Sequence, residues 1–225
     1  MSNLETGDRT AFLGRLRARL ADGVPANPAH PLPGPLTDGV PFVVSQLLDP
    51  DDLVGSFVRN ADAVRVVVTR VAGTAVPDDY VDELVATHSV RRAVISREPE
   101  AQQVGQLLAA HGVELAAVSK DASAAADLGV TSAIAGLATT GTVVQHSGRA
   151  GGRTASLLPP VHLCVLPASR IVASTAEVLR HLGERELPSN VALITGPSRS
   201  GDIEQIIALG VHGPLEVRVV ILDGC

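Results

Sequence analysis

Short runs of apolar, often β-branched residues alternate with amphipathic segments between residues 51 and 127. The apolar runs predict strands at 64–69, 90–96 and 113–119. The amphipathic segments predict helices at 51–59, 78–87, 98–111 and 121–127. Continuous apolar runs are typical of strands that are buried on both faces. This alternation therefore predicts a parallel sheet with helices on both sides.

The pattern changes after Gly129, where apolar runs follow one another with only turns between them. These runs predict strands at 131–138, 142–145 and 161–166. Because no helix between them is long enough for a parallel crossover, we expect antiparallel pairing here. The alternating pattern then returns, with helices predicted at 175–182 and 201–208 and strands at 191–195 and 216–222. The fold class is therefore α/β, with a mixed, largely parallel sheet.

The first forty residues have a different pattern. Residues 10–21 predict a short amphipathic helix, since Phe12, Leu13, Leu16 and Leu20 share one stripe. Six prolines follow within 23–41, which excludes helix and central strand and predicts an extended arm. We therefore divide the chain into an N-terminal helix and proline-rich arm, 1–41, and an α/β domain, 42–225.

Composition narrows the classes of function. Aromatic residues make up 2% of the 225 residues, so the core is expected to be aliphatic. The formal charge of −6 argues against general nucleic-acid binding, which needs a basic surface. The polar amino terminus has no apolar signal-peptide core, and no run of eighteen apolar residues occurs. We therefore expect a cytoplasmic protein without a membrane span.

Cysteine and histidine chemistry is sparse. The two cysteines, Cys164 and Cys225, are too few for this chain alone to hold an iron–sulfur cluster. His162 and Cys164 are expected on one face of a strand, but no third metal ligand follows by spacing. Ser198, Asp202 and His212 have the chain order of a hydrolase triad. The acid, however, comes only four residues after the serine, which disfavours a serine hydrolase.

Three segments carry candidate ligand-binding residues. In 138–144, two threonines and a glycine either present hydroxyl and N–H groups to a ligand or close a hairpin. In 147–160, two arginines on a glycine-rich segment either close over an anion or form a solvated loop. In 195–204, the start of the predicted helix 201–208 would offer free N–H groups to an anion. The candidates are Thr140, Gly141, Thr142, Arg149, Arg153, Gly196, Pro197, Ser198, Arg199, Ser200, Asp202, Glu204, His212 and Gly213.

Two of these assignments have structural alternatives. Asp202 and Glu204 are also the carboxylates expected at the start of a helix for stability alone. The turn at Gly213 and Pro214 predicts that His212 faces the 196–202 loop. Alternatively, His212 acts as a cation at the carboxyl end of the predicted helix.

Taken together, the segments resemble the LUD-domain family, in its lactate-utilization protein C group. Thr139 departs from the family pattern, which usually has an acidic residue before T-G-T. The matching motifs are G-L-A-T-T-G-T at 136–142, S-L-L-P at 156–159 with His162, G-P-S-R-S-G-D-I-E at 196–204 and G-V-H-G-P at 210–214.

The resemblance implies a fold like that of the NagB/RpiA/CoA-transferase group. It also implies an accessory, cluster-free subunit that converts L-lactate to pyruvate together with Cys-rich iron–sulfur proteins. On this view the chain binds a small carboxylate or phosphate and no cofactor of its own, while the clusters belong to its partners. The fold alone leaves two alternatives: a stand-alone enzyme for sugar phosphates or CoA esters, and a carboxylate-binding regulator.

Overall fold

The computed structural model of the protein describes residues 47–183, 188–201, 207–209 and 213–225, together with Gly14 and Ala18. Apart from Gly14 and Ala18, the predicted helix 10–21 and the arm 23–41 lie outside the described residues. The elements below belong to one compact unit, Pro41–Cys225. Within the described ranges, no helix has the length and apolar character needed to cross a lipid bilayer.

The centre of the unit is a six-stranded sheet. Its strands are β1 (Val67–Val71), β2 (Arg92–Ile95), β3 (Glu114–Ala117), β4 (Leu128–Ser132), β7 (Val161–Pro167) and β12 (Glu216–Leu222). They lie in the order β1-β12-β7-β4-β2-β3, and all five strand pairs are parallel. The predicted parallel sheet and the α/β fold class are thereby confirmed.

The helices between the early strands begin and end at recognisable signals. The helices are α1 (Leu53–Ala63), α2 (Asp78–His88), α3 (Pro99–Ala110), α4 (Lys120–Ala125), α5 (Ser147–Ala150) and α6 (Thr175–Gly183). The Asp52 carboxylate accepts from the Gly55 N–H and so caps α1, while Ser119 caps α4 in the same way. Proline starts α3, and Gly112, with a φ of 78°, follows its end.

A second, four-stranded sheet has the order β8-β5-β6-β9. The β5–β6 and β6–β9 pairs are antiparallel, as predicted for this part of the chain. Its strands are β5 (Ala135–Leu137), β6 (Thr142–His146), β8 (Ile171–Val172) and β9 (Val191–Ile194). The apolar run 131–138, predicted as one strand, thus divides between β4 of the main sheet and β5 of the second sheet.

Two sequence predictions are wrong. The strand predicted at 161–166 is parallel, because β5, β6 and the turns after them together form the crossover that returns the chain to the main sheet. The helix predicted at 201–208 is wrong for the residues that the structure describes, since Gly201 belongs to β10 (Arg199–Gly201) and Ile207 and Ala208 belong to β11 (Ile207–Leu209), which pairs antiparallel with β10; residues 202–206 lie outside the described residues. A short apolar run such as Ile207–Leu209 does not distinguish helix from strand by periodicity.

The core lies on both faces of the main sheet. One face packs against α2 and α3 through side chains such as Leu84, Leu108 and Leu163. The other face packs against α1 and the second sheet, and Phe57 and Val143 belong to that cluster. α6 then covers the outer face of the second sheet. Burying one large aliphatic side chain contributes about 1.5–3 kcal/mol to the free energy of unfolding. Because this core has almost no aromatic side chains, its stability depends on many such aliphatic residues.

Candidate functional site

Three neighbouring strands of the main sheet, β2, β4 and β7, end side by side. Arg97 and Glu98 follow β2, Ala133 and Ile134 follow β4, and Arg170 closes the short 3₁₀ turn after β7. Ligands of open parallel sheets bind outside the carboxyl ends of the strands. The carboxyl edge formed by these three strands is therefore the candidate site.

Arg170 is held in place by the hydrogen bonds that it donates to its neighbours at this edge. Its Nη1 donates to the Ser132 hydroxyl at 3.2 Å and to the Ala133 carbonyl at 3.0 Å, and its Nη2 pairs with the Glu100 carboxylate. The side chain is 35% exposed. Because a guanidinium carries five N–H donors, Arg170 can hold these partners and still donate to an anion.

Two cavities adjoin at Arg170. One, of about 400 Å³, is lined by His146 and His181 and by an apolar wall that includes Val178 and Leu182. The other, of about 270 Å³, is lined by Arg97, Glu98 and the residues after β4. Arg170 and Ile134 line both. Each volume accommodates a small organic anion, and the two cavities together place three basic side chains, His146, His181 and Arg97, around Arg170.

The second cavity contains an unusual carboxyl group. Glu98 is 8% exposed, and neither of its carboxyl oxygens has a hydrogen-bond partner among the residues that the structure describes. The Ser96 hydroxyl and Glu100 Oε2 are also buried without a partner in the same part of the chain. Since buried polar groups in proteins are nearly always hydrogen-bonded, these atoms mark a place where a partner is missing.

The predicted glycine-rich segment borders this edge. Gly151 has a φ of 77°, and a Cβ atom there would lie 3.1 Å from Arg97 Nε. Arg153 is exposed and precedes the 3₁₀ turn Thr154–Ser156, where the Thr154 hydroxyl donates to the Ser119 carbonyl at 3.3 Å. The Arg149 side chain lies outside what the structure describes.

Thr140 and Thr142 belong to a chain of three hydroxyl groups. Thr140 Oγ1 lies 2.7 Å from Thr142 Oγ1, which lies 2.8 Å from Thr195 Oγ1. Gly141 between them has a φ of 62°, and a Cβ atom there would lie 2.2 Å from the Ala61 backbone nitrogen. The structure thus uses this glycine for a close approach to α1, and the three hydroxyls tie β6 to the end of β9.

Of the predicted residues at 196–213, those that the structure describes lie around the amino ends of β1 and β12. A Cβ atom on Gly196 would lie 2.5 Å from the Val64 carbonyl oxygen, to which Arg199 Nη2 donates at 3.0 Å. Pro197 is buried, the Ser198 N–H donates to the Pro214 carbonyl at 2.9 Å, and Gly213 packs against Ser198. These residues therefore lie at the edge of the main sheet opposite Arg170.

The predicted anion site at 196–202 is described only in part. Arg199–Gly201 form a strand, so the described residues there offer no row of free helical N–H groups. Asp202, Glu204 and His212 lie outside the described residues, as does the side chain of Ser200. The end of the 147–160 segment lies near this loop, since a Cβ atom on Gly213 would lie 3.1 Å from Ser198 Cβ and 4.0 Å from the Leu157 carbonyl oxygen.

A fully buried polar cluster connects the two sheets. His162 Nε2 lies 2.8 Å from Thr131 Oγ1, and the Gln145 side-chain amide donates to Thr131. The Gln145 side-chain amide nitrogen also lies 3.2 Å from His162 Nε2, so this ring nitrogen contacts both Thr131 and Gln145. Burial lowers the pKa of His162 to about 4, and the same cause raises the pKa of the Cys164 thiol to about 12.

The cluster is structural in character, because both side chains are fully buried and the Cys164 thiol stays protonated, which makes it a poor nucleophile. Across the described ranges, no three His, Cys, Asp or Glu side chains are grouped so that they could hold a metal ion.

Sequence reasoning missed Arg170 and Glu98. Glu98 comes two residues after the strand predicted at 90–96, and Arg170 comes four residues after the strand predicted at 161–166. The rule that ligands bind at the carboxyl ends of parallel strands could therefore have pointed to them. The strand order that brings the ends of β2, β4 and β7 together was not available from the sequence. Neither residue belongs to a known short motif, so a prediction based on motifs selected the glycine-rich segments and not these two residues.

Comparison with known proteins shows what the chain is similar to. A family model described as the LUD domain matches residues 55–222. A protein of Shouchella clausii named Lactate utilization protein C is 41% identical over 102 residues, which are 44% of this chain and 44% of that protein. A protein of the same name from Halalkalibacterium halodurans is 34% identical over 159 residues, covering 65% of this chain and 69% of the relative.

A solved structure shares the fold. The crystal structure of a DUF162 family protein from Deinococcus radiodurans superposes with a TM-score of 0.57 at 18% sequence identity. The match covers 78% of this chain and 99% of that one. At this identity the likeness concerns the arrangement of helices and strands alone.

Proposed function

The chain belongs to the LUD domain family. We propose that it is an accessory, cluster-free component of an L-lactate oxidation system and that it binds a small carboxylate. The family resemblance drawn from the sequence motifs is thereby confirmed. The two relatives named Lactate utilization protein C support a role in lactate utilization.

The single observation that carries the carboxylate site is the position of Arg170. It stands where two small cavities adjoin at the carboxyl edge of the parallel sheet, fixed by Ser132, Ala133 and Glu100. A positioned guanidinium binds a carboxylate through charge-assisted hydrogen bonds. His146 and His181 also line the larger of these two cavities.

The accessory role follows from the electron balance. Oxidation of lactate to pyruvate removes two electrons and two protons, and the electrons need a flavin, a nicotinamide or a metal centre to receive them. An iron–sulfur cluster is commonly held by four cysteines, whereas this sequence has two, one of them buried in β7. We therefore assign the electron-accepting clusters to Cys-rich partner proteins and the anion site to this chain.

Reconstitution tests this proposal. The purified chain is assayed with L-lactate and an artificial electron-accepting dye, first alone and then with Cys-rich iron–sulfur proteins that copurify with it from the native host. We expect no turnover by the chain alone, and turnover with the partners that falls when this chain is omitted.

The absorption spectrum of the purified chain is the accompanying control. Steady turnover without partners, or a stoichiometric flavin spectrum, would contradict the accessory role and favour a stand-alone enzyme. Full activity of the partners without this chain would also contradict it.

A further inference from the structure

The outer edge of β1 is open. β1 lies at one end of the main sheet, and in the described part of the chain only β12 pairs with it. The Val71 carbonyl accepts from the Asp223 N–H at 2.8 Å, on the β12 side. Because alternate residues of a strand direct their backbone groups to opposite edges, Val68 and Arg70 point their N–H and C=O groups away from β12. These groups can pair with one more strand.

A groove runs beside this open edge, between α1 and the start of β1. Its volume is about 540 Å³. Apolar and charged side chains both line it, and they include Val66, Val67, Val68, Arg59, Asp62 and Arg65. An extended segment that paired with β1 would therefore place every second side chain over this groove.

The groove is positively charged. Arg59, Asp62 and Arg65 are exposed, and the ion pairs among the described residues include none of them. Two arginines against one aspartate leave an excess of positive charge. The exposed Arg199, which donates to the Val64 carbonyl at the end of α1, adds to this excess. The sign is opposite to the formal charge of −6 on the whole chain.

Arg65 has a backbone conformation that favours glycine. Its φ is 65°, and it follows the end of α1, where the Val66 N–H donates to the Ala61 carbonyl at 2.9 Å. Glycine is the usual residue at this point of a helix end, because other residues lose stability there. An exposed arginine kept at such a position indicates a use for its side chain outside folding.

We propose that the open edge of β1 binds an extended acidic segment of a partner protein. The segment pairs its backbone with Val68 and Arg70 and places its carboxylates near Arg59 and Arg65. A second copy of this chain would bring the same excess of positive charge to the groove, whereas an acidic segment neutralises it. This inference goes beyond the proposed function and depends neither on lactate nor on the site at Arg170.

Fluorescence anisotropy with labelled peptides tests the proposal on the full chain. The probe is an eight-residue peptide of alternating glutamate and valine. One control peptide has lysine in place of each glutamate, and the other keeps the glutamates but has its four central amide nitrogens methylated. The probe is expected to bind at least about tenfold more tightly than either control, because only the probe offers both carboxylates and free backbone N–H groups.

Substitutions in the groove test the role of its charges. Arg59→Gln and Arg65→Gly are each expected to weaken binding of the probe about two- to fivefold, the range for exposed ion pairs. Asp62→Asn is expected to tighten binding, because it removes a carboxylate that repels the probe. Arg180→Gln, at an exposed arginine of α6 outside the groove, is the matched control and is expected to leave binding unchanged.

Thermal unfolding separates binding from folding at Arg65. A cation at the carboxyl end of α1 also interacts with the helix dipole, so a structural role for Arg65 predicts a lower melting temperature in Arg65→Gly. We expect the melting temperature not to fall, because glycine adopts this conformation without strain. A fall would assign Arg65 to the stability of α1 and overturn its part in the proposal.

Hydrogen exchange locates the bound probe. The probe is expected to protect the amides of β1 and not those of β3, the other open edge of the sheet. Protection of β3 alone, equal binding of the three peptides, or unchanged binding by the variant that combines Arg59→Gln and Arg65→Gly would overturn the proposal. Protection of β1 that rises with protein concentration in the absence of peptide would assign the edge to a second copy and overturn it as well.

Discussion

His162 is a basic side chain that the fold keeps uncharged. It is the second residue of β7 and is fully buried, with Thr131 of the neighbouring strand on its Nε2 and no partner on its Nδ1 among the described residues. Protonation would place a positive charge in this interior with no carboxylate in hydrogen-bond contact. The pKa of His162 therefore falls to about 4, well below the value of 6.5 for a free histidine.

We expect this residue to make the stability of the protein depend on pH. Between pH 6.5 and pH 4, the unfolded chain binds a proton at His162 that the folded chain does not. The free energy of unfolding therefore decreases as the pH falls through this range, by up to about 1.4 kcal/mol per pH unit from this residue. Urea unfolding at several pH values measures the slope.

His162→Gln is expected to reduce that slope, whatever it does to the stability at neutral pH. His181→Gln, at an exposed histidine of α6, is the matched control that leaves the slope in place. A slope that persists unchanged in His162→Gln would show that other groups cause it.

Part of this cluster follows from the sequence and part does not. The alternation of strand residues places His162 and Cys164 on one face of β7, and the structure confirms that both are buried there. Gln145, which contacts both side chains, comes from the second sheet. Its approach depends on how two sheets pack, and no local pattern in the sequence contains that information.

At the scale of elements, the sequence predicts that a helix or strand exists better than it predicts where the element ends or which strand it pairs with. The strand predicted at 216–222 is found with the same bounds, because its apolar run is long and flanked by turn residues. The run 131–138 is divided at Ala133 and Ile134, where the chain leaves one sheet for another. Apolar residues serve both sheets equally well, so hydrophobicity alone does not show the break.

Glycines at turns give a graded test of the elements they join. Gly112 has a φ of 78° with open space around it, whereas Gly141 has a φ of 62° and lies against the α1 backbone. Gly112→Ala is expected to cost about 1–2 kcal/mol for the left-handed conformation alone. Gly141→Ala adds a backbone clash at Ala61 and is expected to cost more than about 4 kcal/mol, or to prevent folding.

Chemical unfolding of the two alanine variants measures the difference, with Gly112→Ala as the control for conformational strain. Equal losses in the two variants would mean that the contact between Gly141 and α1 relaxes without cost. In that case the close approach would not be what requires a glycine before β6.

For the whole molecule, the layers follow from composition and alternation, whereas the strand order does not. An aliphatic chain of alternating strands and helices folds as a covered parallel sheet, which is what the structure contains. The order β1-β12-β7-β4-β2-β3 depends on pairings between distant segments, such as Val67 with Arg218. The candidate site at the ends of β2, β4 and β7 depends on that order, so sequence reasoning did not assemble it.

The strand order also predicts how the molecule opens. β7 is buried along its whole length between β4 and β12, while β3 is an edge strand whose four residues are all exposed. We expect the amides of β7 and β12 to exchange with deuterium only through global unfolding, and those of β3 to exchange through local opening. Hydrogen exchange followed by mass spectrometry measures both sets, and equal protection of β3 and β7 would contradict this expectation.

The place of β12 between β1 and β7 matters while the protein is being made. A ribosome releases the chain from its amino end, so β1 and β7 both emerge before β12, the last of the described strands, exists to join them. Until then each nascent chain carries strand edges that can pair with those of another. The facing edges of β1 and β7 are therefore covered only when Glu216–Leu222 has left the ribosomal tunnel, and from then on the open strand edges of this sheet are those of β1 and β3.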